Sequence, residues 1–93
     1  MKRALLRSSS FVRQARRTLR GSPSLAADLQ SALERLASDA FHPALKTHKL
    51  KGALAGSWAC SAGYDLRIVF SFVVQEGQEA ILLEAVGTHE EVY

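Results

Sequence analysis

The side chains in this sequence with the most chemistry to offer are His48, Asp65, Arg67, His89 and Tyr93, together with three lysines, Lys46, Lys49 and Lys51, set around His48. Cleavage of RNA through its own 2′-hydroxyl needs a base for that hydroxyl, an acid for the departing 5′ oxygen and fixed positive charge on the phosphorane. A histidine, with an unperturbed pKa of about 6.5, suits either proton role. Arg67 and the lysines suit the phosphate. Each residue also has a plainer reading. Asp65 could pair with Arg67 or cap a turn at Gly63, Tyr93 could be terminal packing, and His42 beside Pro43 reads as a surface residue. Trp58 reads as core or rim packing before a base-stacking platform, and Cys60 as a small buried hydrophobe. No glycine-rich phosphate loop, paired helical histidines or nucleophile elbow is present. The three histidines match no metal-site spacing, so neither metal nor cofactor is expected.

Composition narrows the setting. With 93 residues, 47% hydrophobic and 23% charged, the chain has the material for one domain, residues 1–93, and too much apolar mass for disorder. The longest uncharged apolar stretches, Ile68 to Val74 and Ala80 to Leu83, fall far short of the roughly 20 residues of a membrane-spanning helix, so no membrane role is expected. Cys60 is the single cysteine, which favours a reducing, cytoplasmic home. The net charge of +3 conceals a division. Residues 1–51 carry eleven Lys/Arg against three Asp/Glu, a net +8, and residues 52–93 one against six, a net −5. The basic half suits a polyanion or an acidic protein partner.

The elements that must position these residues are legible from periodicity. Ala4, Leu5 and Leu6 predict a short first strand. Ser8 or Ser9 then caps a helix whose apolar positions are Phe11, Ala15 and Leu19, ended by Gly21. Arg13, Arg16, Arg17 and Arg20 occupy its remaining arc as a basic stripe, shown to solvent or to a partner. The segment therefore reads as the start of the domain rather than a transit peptide. Ser22-Pro23 starts a second helix, to about Ala37, that folds back as an antiparallel helical hairpin. A basic loop from His42 to Gly56 follows, then strands Trp58 to Ser61, Asp65 to Val74 and Ala80 to Val86 as an antiparallel meander. In the second of these, Leu66, Ile68, Phe70, Phe72 and Val74 should face the helices and Asp65 and Arg67 the other side. The predicted fold is α+β, in the order β-α-α-β-β-β.

Three stretches resemble the RelE superfamily of type II toxin-antitoxin toxins, and within it the YafQ-like mRNA interferases. They are His42 to Gly52, Gly56 to Phe70, and Gly87-Thr88-His89-Glu90-Glu91-Val92-Tyr93, whose Gly-Thr-His element is the most specific part. The resemblance implies a ribosome-dependent endoribonuclease that cuts messenger RNA in the A site and is silenced by a bound antitoxin. By position, His48 matches the basic-loop histidine, Asp65 the strand aspartate, His89 the histidine of Gly-Thr-His and Tyr93 the terminal aromatic. Arg67 resembles the strand arginine of the RelE branch. Ser61 stands where YafQ-like members carry another histidine, Ala85 where an arginine is frequent, and Leu66 where an aromatic is found. Either the phosphate clamp comes from Lys46, Lys49, Lys51 and Arg67, or the activity is weaker than the family norm. Two alternatives share the fold without the chemistry: a ParE-like gyrase inhibitor and a binding module that has lost activity. His48, Asp65 and His89 favour the nuclease, because a gyrase binder has no use for that set.

Overall fold

The computed structural model describes residues 2–88; the candidate residues His89 and Tyr93 lie outside them. Five strands form one sheet in the order β1-β5-β4-β3-β2: β1 (Ala4–Arg7), β2 (His48–Lys49), β3 (Trp58–Ala62), β4 (Leu66–Gln75) and β5 (Gln78–Thr88). β1 runs parallel to β5 and the other pairs are antiparallel. The expected mixed α+β order is observed, with one addition. The basic loop contains the two-residue strand β2, between single 3-10 turns at Pro43–Leu45 and Gly52–Leu54.

Helix α1 (Ser9–Leu19) begins at Ser8, whose hydroxyl accepts the Phe11 N–H at 3.0 Å. Its Phe11 is 2% exposed and packs, with Ala15 and Leu19, on the core. Helix α2 (Pro23–Ser38) begins at Ser22 with proline in its first turn and buries Leu29, Ala32, Leu33, Leu36 and Ala37. The short joint between the helices turns at Gly21, φ +70°. α1 lies chiefly along β5, and α2 against β3 and β4. Between them and the sheet sit the fully buried Leu66, Ile68, Phe70, Ile81 and Leu83. Each such side chain stabilises the fold by about 1.5–3 kcal/mol relative to its exposed state.

The alternation in β4 holds as far as the helices reach. Phe72 is partly buried, but Val74, expected on the core face, is 76% exposed. The β4–β5 hairpin runs on past the helical layer and closes through Glu76 and Gly77, both at positive φ, as a tight two-residue turn requires. At its other end β4 starts at Leu66, so Asp65 belongs to the turn and not to the strand. The Ala62–Leu66 pair closes a three-residue turn that Asp65 must complete.

A bulge interrupts the β4–β5 ladder. Val69 faces Ala85 and Phe70 faces Leu83, which leaves Glu84 without an opposite number. Helix α1 serves the backbone groups there. Ser8 Oγ donates to the Glu84 carbonyl at 3.3 Å, and Gln14 Oε1 accepts the Val86 N–H at 3.0 Å. The Glu84 carboxylate accepts from Ser57 Oγ at 2.7 Å and Ser71 Oγ at 3.5 Å, tying β4, β5 and the approach to β3 together.

Candidate functional site

A cleft of about 550 Å³ opens where β3 turns into β4. Lys46, Ser61, Tyr64, Asp65, Arg67 and Thr88 line it. Three segments distant in sequence therefore meet: the loop before β2, the β3–β4 turn with its flanking strands, and the end of β5. Three of the candidate residues, Lys46, Asp65 and Arg67, line this cleft together, with Asp65 arriving from the turn.

The turn itself is tightly built. Gly63 has φ +69°, and a Cβ placed there would lie 2.6 Å from Asp28 Cγ and 3.0 Å from Asp28 Cβ, on helix α2. Glycine suits this conformation without strain, and any larger residue here would require Asp28 to move. Arg67 Nη1 donates to the carbonyls of Tyr64, at 3.2 Å, and Leu66, at 2.9 Å, so the guanidinium braces the turn while its charge stays in the cleft. Among the described residues the one side-chain ion pair is Arg3 with Glu79; Asp65 and Arg67 share the cleft without forming one.

Lys46 is held in the left-handed region at φ 53°, rare for a residue with a side chain. It closes the 3-10 turn, its N–H donating to the Pro43 carbonyl at 3.2 Å. Its own carbonyl lies 2.9 Å from His48 Nδ1. A carbonyl only accepts, so Nδ1 donates to it and fixes the ring. His48 pairs with Ala59, and Ser61 with Arg67, so histidine and arginine rise from the same face of the sheet. His42 is different: its Nδ1 accepts the Ala44 N–H at 3.0 Å and caps the turn at Pro43, a structural task.

The other lysines point elsewhere. Lys49 Nζ lies 5.5 Å from the Trp58 ring centroid, and Lys51 is the exposed residue that precedes the Gly52–Leu54 turn. Trp58 packs edge-on against Phe41 and Phe72, with centroids 5.4 and 5.5 Å away, as a half-buried rim residue. Cys60 is fully buried, and burial pushes its thiol up to about 12 against the weaker opposing pull of Arg67. Leu66 is also fully buried and does not line the cleft. The described residues contain no group of three or more His, Cys, Asp or Glu side chains placed to hold a metal ion, and no helix among them is long and apolar enough to cross a membrane.

Sequence reasoning passed over Tyr64, which stands 91% exposed at the cleft. Its place beside Gly63, between two strands, was the available signal. Nothing in the sequence pointed to Asp28 beneath Gly63 or to Glu84 in the bulge.

No protein-family model matches the chain, and no curated protein matches it. Solved structures do. YafQ from E. coli superposes with a TM-score of 0.77 at 14% identity, over 99% of each chain. A metal-bound toxin from Helicobacter pylori gives 0.76 at 26% identity over 100% of both chains. A YoeB/ParE toxin from Agrobacterium tumefaciens gives 0.75 at 16% identity, over 92% of this chain and 98% of that one. YafQ is also solved in the E. coli DinJ-YafQ toxin-antitoxin complex. The chain carries the fold of the RelE-superfamily toxins, YafQ and YoeB among them, as its sequence motifs implied.

Proposed function

We propose that the chain is the toxin of a type II toxin-antitoxin pair and an endoribonuclease that cuts ribosome-bound messenger RNA, acting in the cytoplasm. The observation that carries this reading is the cleft, where Lys46, Asp65 and Arg67 converge from separate segments in a protein with a toxin fold. Arg67 and Lys46 hold the scissile phosphate and meet the charge that grows on it. His48, oriented through Nδ1, takes one proton-transfer role, at the 2′-hydroxyl or the leaving oxygen, and His89 supplies the complementary one. Asp65 orients the reacting groups and Tyr93 completes the site. Lys49 and Lys51, outside the cleft, serve ribosome docking.

The silencing partner fits a second surface. Between α1 and α2 lies an apolar groove of about 400 Å³, floored by Phe11, Ala15, Leu19, Leu29 and Leu33 and rimmed by Arg7 and Arg16. Arg13, Arg17 and Arg20 continue the positive charge along α1. An acidic, amphipathic antitoxin segment would bury apolar side chains in the groove and meet arginines at its edge. Expression of the chain should arrest growth and fragment messages, and co-expression of a small acidic neighbour-encoded protein should restore growth. Growth arrest with intact messages would remove the nuclease reading. Reversing Arg13 and Arg17 to Glu should slow antitoxin association more than it slows message cleavage; the opposite order would give the stripe to the ribosome.

A further inference from the structure

We propose that Tyr64 is a stacking platform for a nucleobase of single-stranded RNA next to the phosphate held by Arg67 and Lys46. This rests on the nuclease reading and specifies how that site grips its substrate. Tyr64 is 91% exposed although it lies in the cleft, between the fully buried Leu66 and the glycine pressed on Asp28. Its ring has no packing task in the fold. Its backbone is nonetheless fixed twice: Gly63 is wedged against α2, and the Tyr64 carbonyl accepts from Arg67 Nη1 at 3.2 Å. The guanidinium placed to bind a phosphate therefore also holds the backbone that carries the aromatic ring.

A nucleotide presents a phosphate and, a few ångströms away, a flat base. A cation and an exposed ring on one short turn match that pair. Because its turn is already ordered, binding has to immobilise only the side-chain torsions of the ring. Stacking on tyrosine does not require a particular base, so this contact holds the strand in register and leaves the choice of base to other groups. The buried Leu66 beside it cannot contribute, which makes Tyr64 the aromatic surface that the described part of the cleft offers.

The test separates docking from chemistry. Ribosomes programmed with a message carrying 2′-deoxynucleotides across the tested codon cannot supply the attacking hydroxyl, so binding of the intact protein is read alone. Y64A should weaken binding by about 10- to 100-fold, the usual cost of losing one base-aromatic stack, and Y64F should restore it. Thermal melting should be the same for both variants, since an exposed ring stabilises nothing. An abasic nucleotide, scanned through the codon, should at one position abolish the difference between Y64A and the parent. Equal binding by Y64A and the parent overturns the platform even if ribose messages are still cut. So does a Y64A defect that no abasic position removes, or one seen only in antitoxin affinity. Failure of the parent to cut ribose messages, with the Y64A and abasic effects on binding intact, removes the nuclease reading and leaves the platform standing.

Discussion

Replacing Gly63 by alanine should damage both stability and activity, and the structure says through which contacts. At φ +69° an alanine is strained by about 1–2 kcal/mol. The new Cβ also meets Asp28, whose Cγ would be 2.6 Å away and Cβ 3.0 Å. The carboxylate can swing aside, but the Asp28 Cβ moves only with helix α2. Crowding of this kind costs about 1–3 kcal/mol, for a combined loss of about 2–5 kcal/mol. Denaturant melts of four proteins measure it: the parent, Gly63→Ala, Asp28→Gly and the double variant. In the Asp28→Gly background the steric part disappears and only the left-handed strain of about 1–2 kcal/mol should remain. A Gly63→Ala cost that is the same in both backgrounds, or below about 0.5 kcal/mol in the parent, would refute the wedge. Any folded fraction of Gly63→Ala should cut messages slowly, because Tyr64 and Asp65 ride on the same turn.

Three further outcomes follow from particular contacts. Arg67→Ala should slow single-turnover cleavage by about 10²–10³-fold, whereas Lys51→Ala should weaken ribosome binding and lower its salt slope by about one; loss of binding alone in Arg67→Ala would make that residue a docking group. Glu84→Ala should cost about 1–3 kcal/mol in a denaturant melt, by leaving Ser57 and Ser71 without their shared acceptor and loosening the approach to β3; an unchanged midpoint would show that the bulge needs no tie. The Cys60 thiol, raised from 9.0 to about 12 by burial, keeps its proton in the folded chain where the unfolded chain has lost it. Above pH 9 the unfolded state thus binds fewer protons, stability falls as pH rises towards about 12, and Cys60→Ala should flatten that slope. An alkylating reagent that modifies Cys60 in the native protein as fast as in denaturant would contradict it.

Much of this architecture was legible because it rests on local signals. Ser8 and Ser22-Pro23 mark helix starts, the Phe11-Ala15-Leu19 spacing gives a helix face, and the alternation from Leu66 to Phe72 gives a strand with one side in the core. What stayed hidden depends on pairings between distant residues. β2 is two residues long and exists only because His48 and Lys49 meet Ala59 and Trp58. The bulge at Glu84 is invisible in a strand that reads as continuous, since it is defined by register against Val69 and Phe70. The burial of Val74 failed because alternation says which side a residue faces, not how far the helices extend. At the site, Lys46, Asp65 and Arg67 were chosen for their chemistry and do converge, while Lys49 turned to Trp58 because an adjacent aromatic face attracts a cation. Tyr64 was overlooked because its place beside Gly63 marks a turn but does not show that Lys46, Asp65 and Arg67 meet around it.

If this cleft cleaves RNA by attack of the substrate's own 2′-hydroxyl, the ends of the fragments will carry the mark of that attack. Purified protein incubated with ribosomes programmed by a defined message should cut it within the A-site codon, leaving a 2′,3′-cyclic phosphate or its 3′-phosphate product on one fragment and a 5′-hydroxyl on the other. A single 2′-deoxynucleotide at the cut position should abolish cleavage there. Cleavage that persists through the deoxynucleotide, or fragments that carry 5′-phosphate ends, would contradict the account.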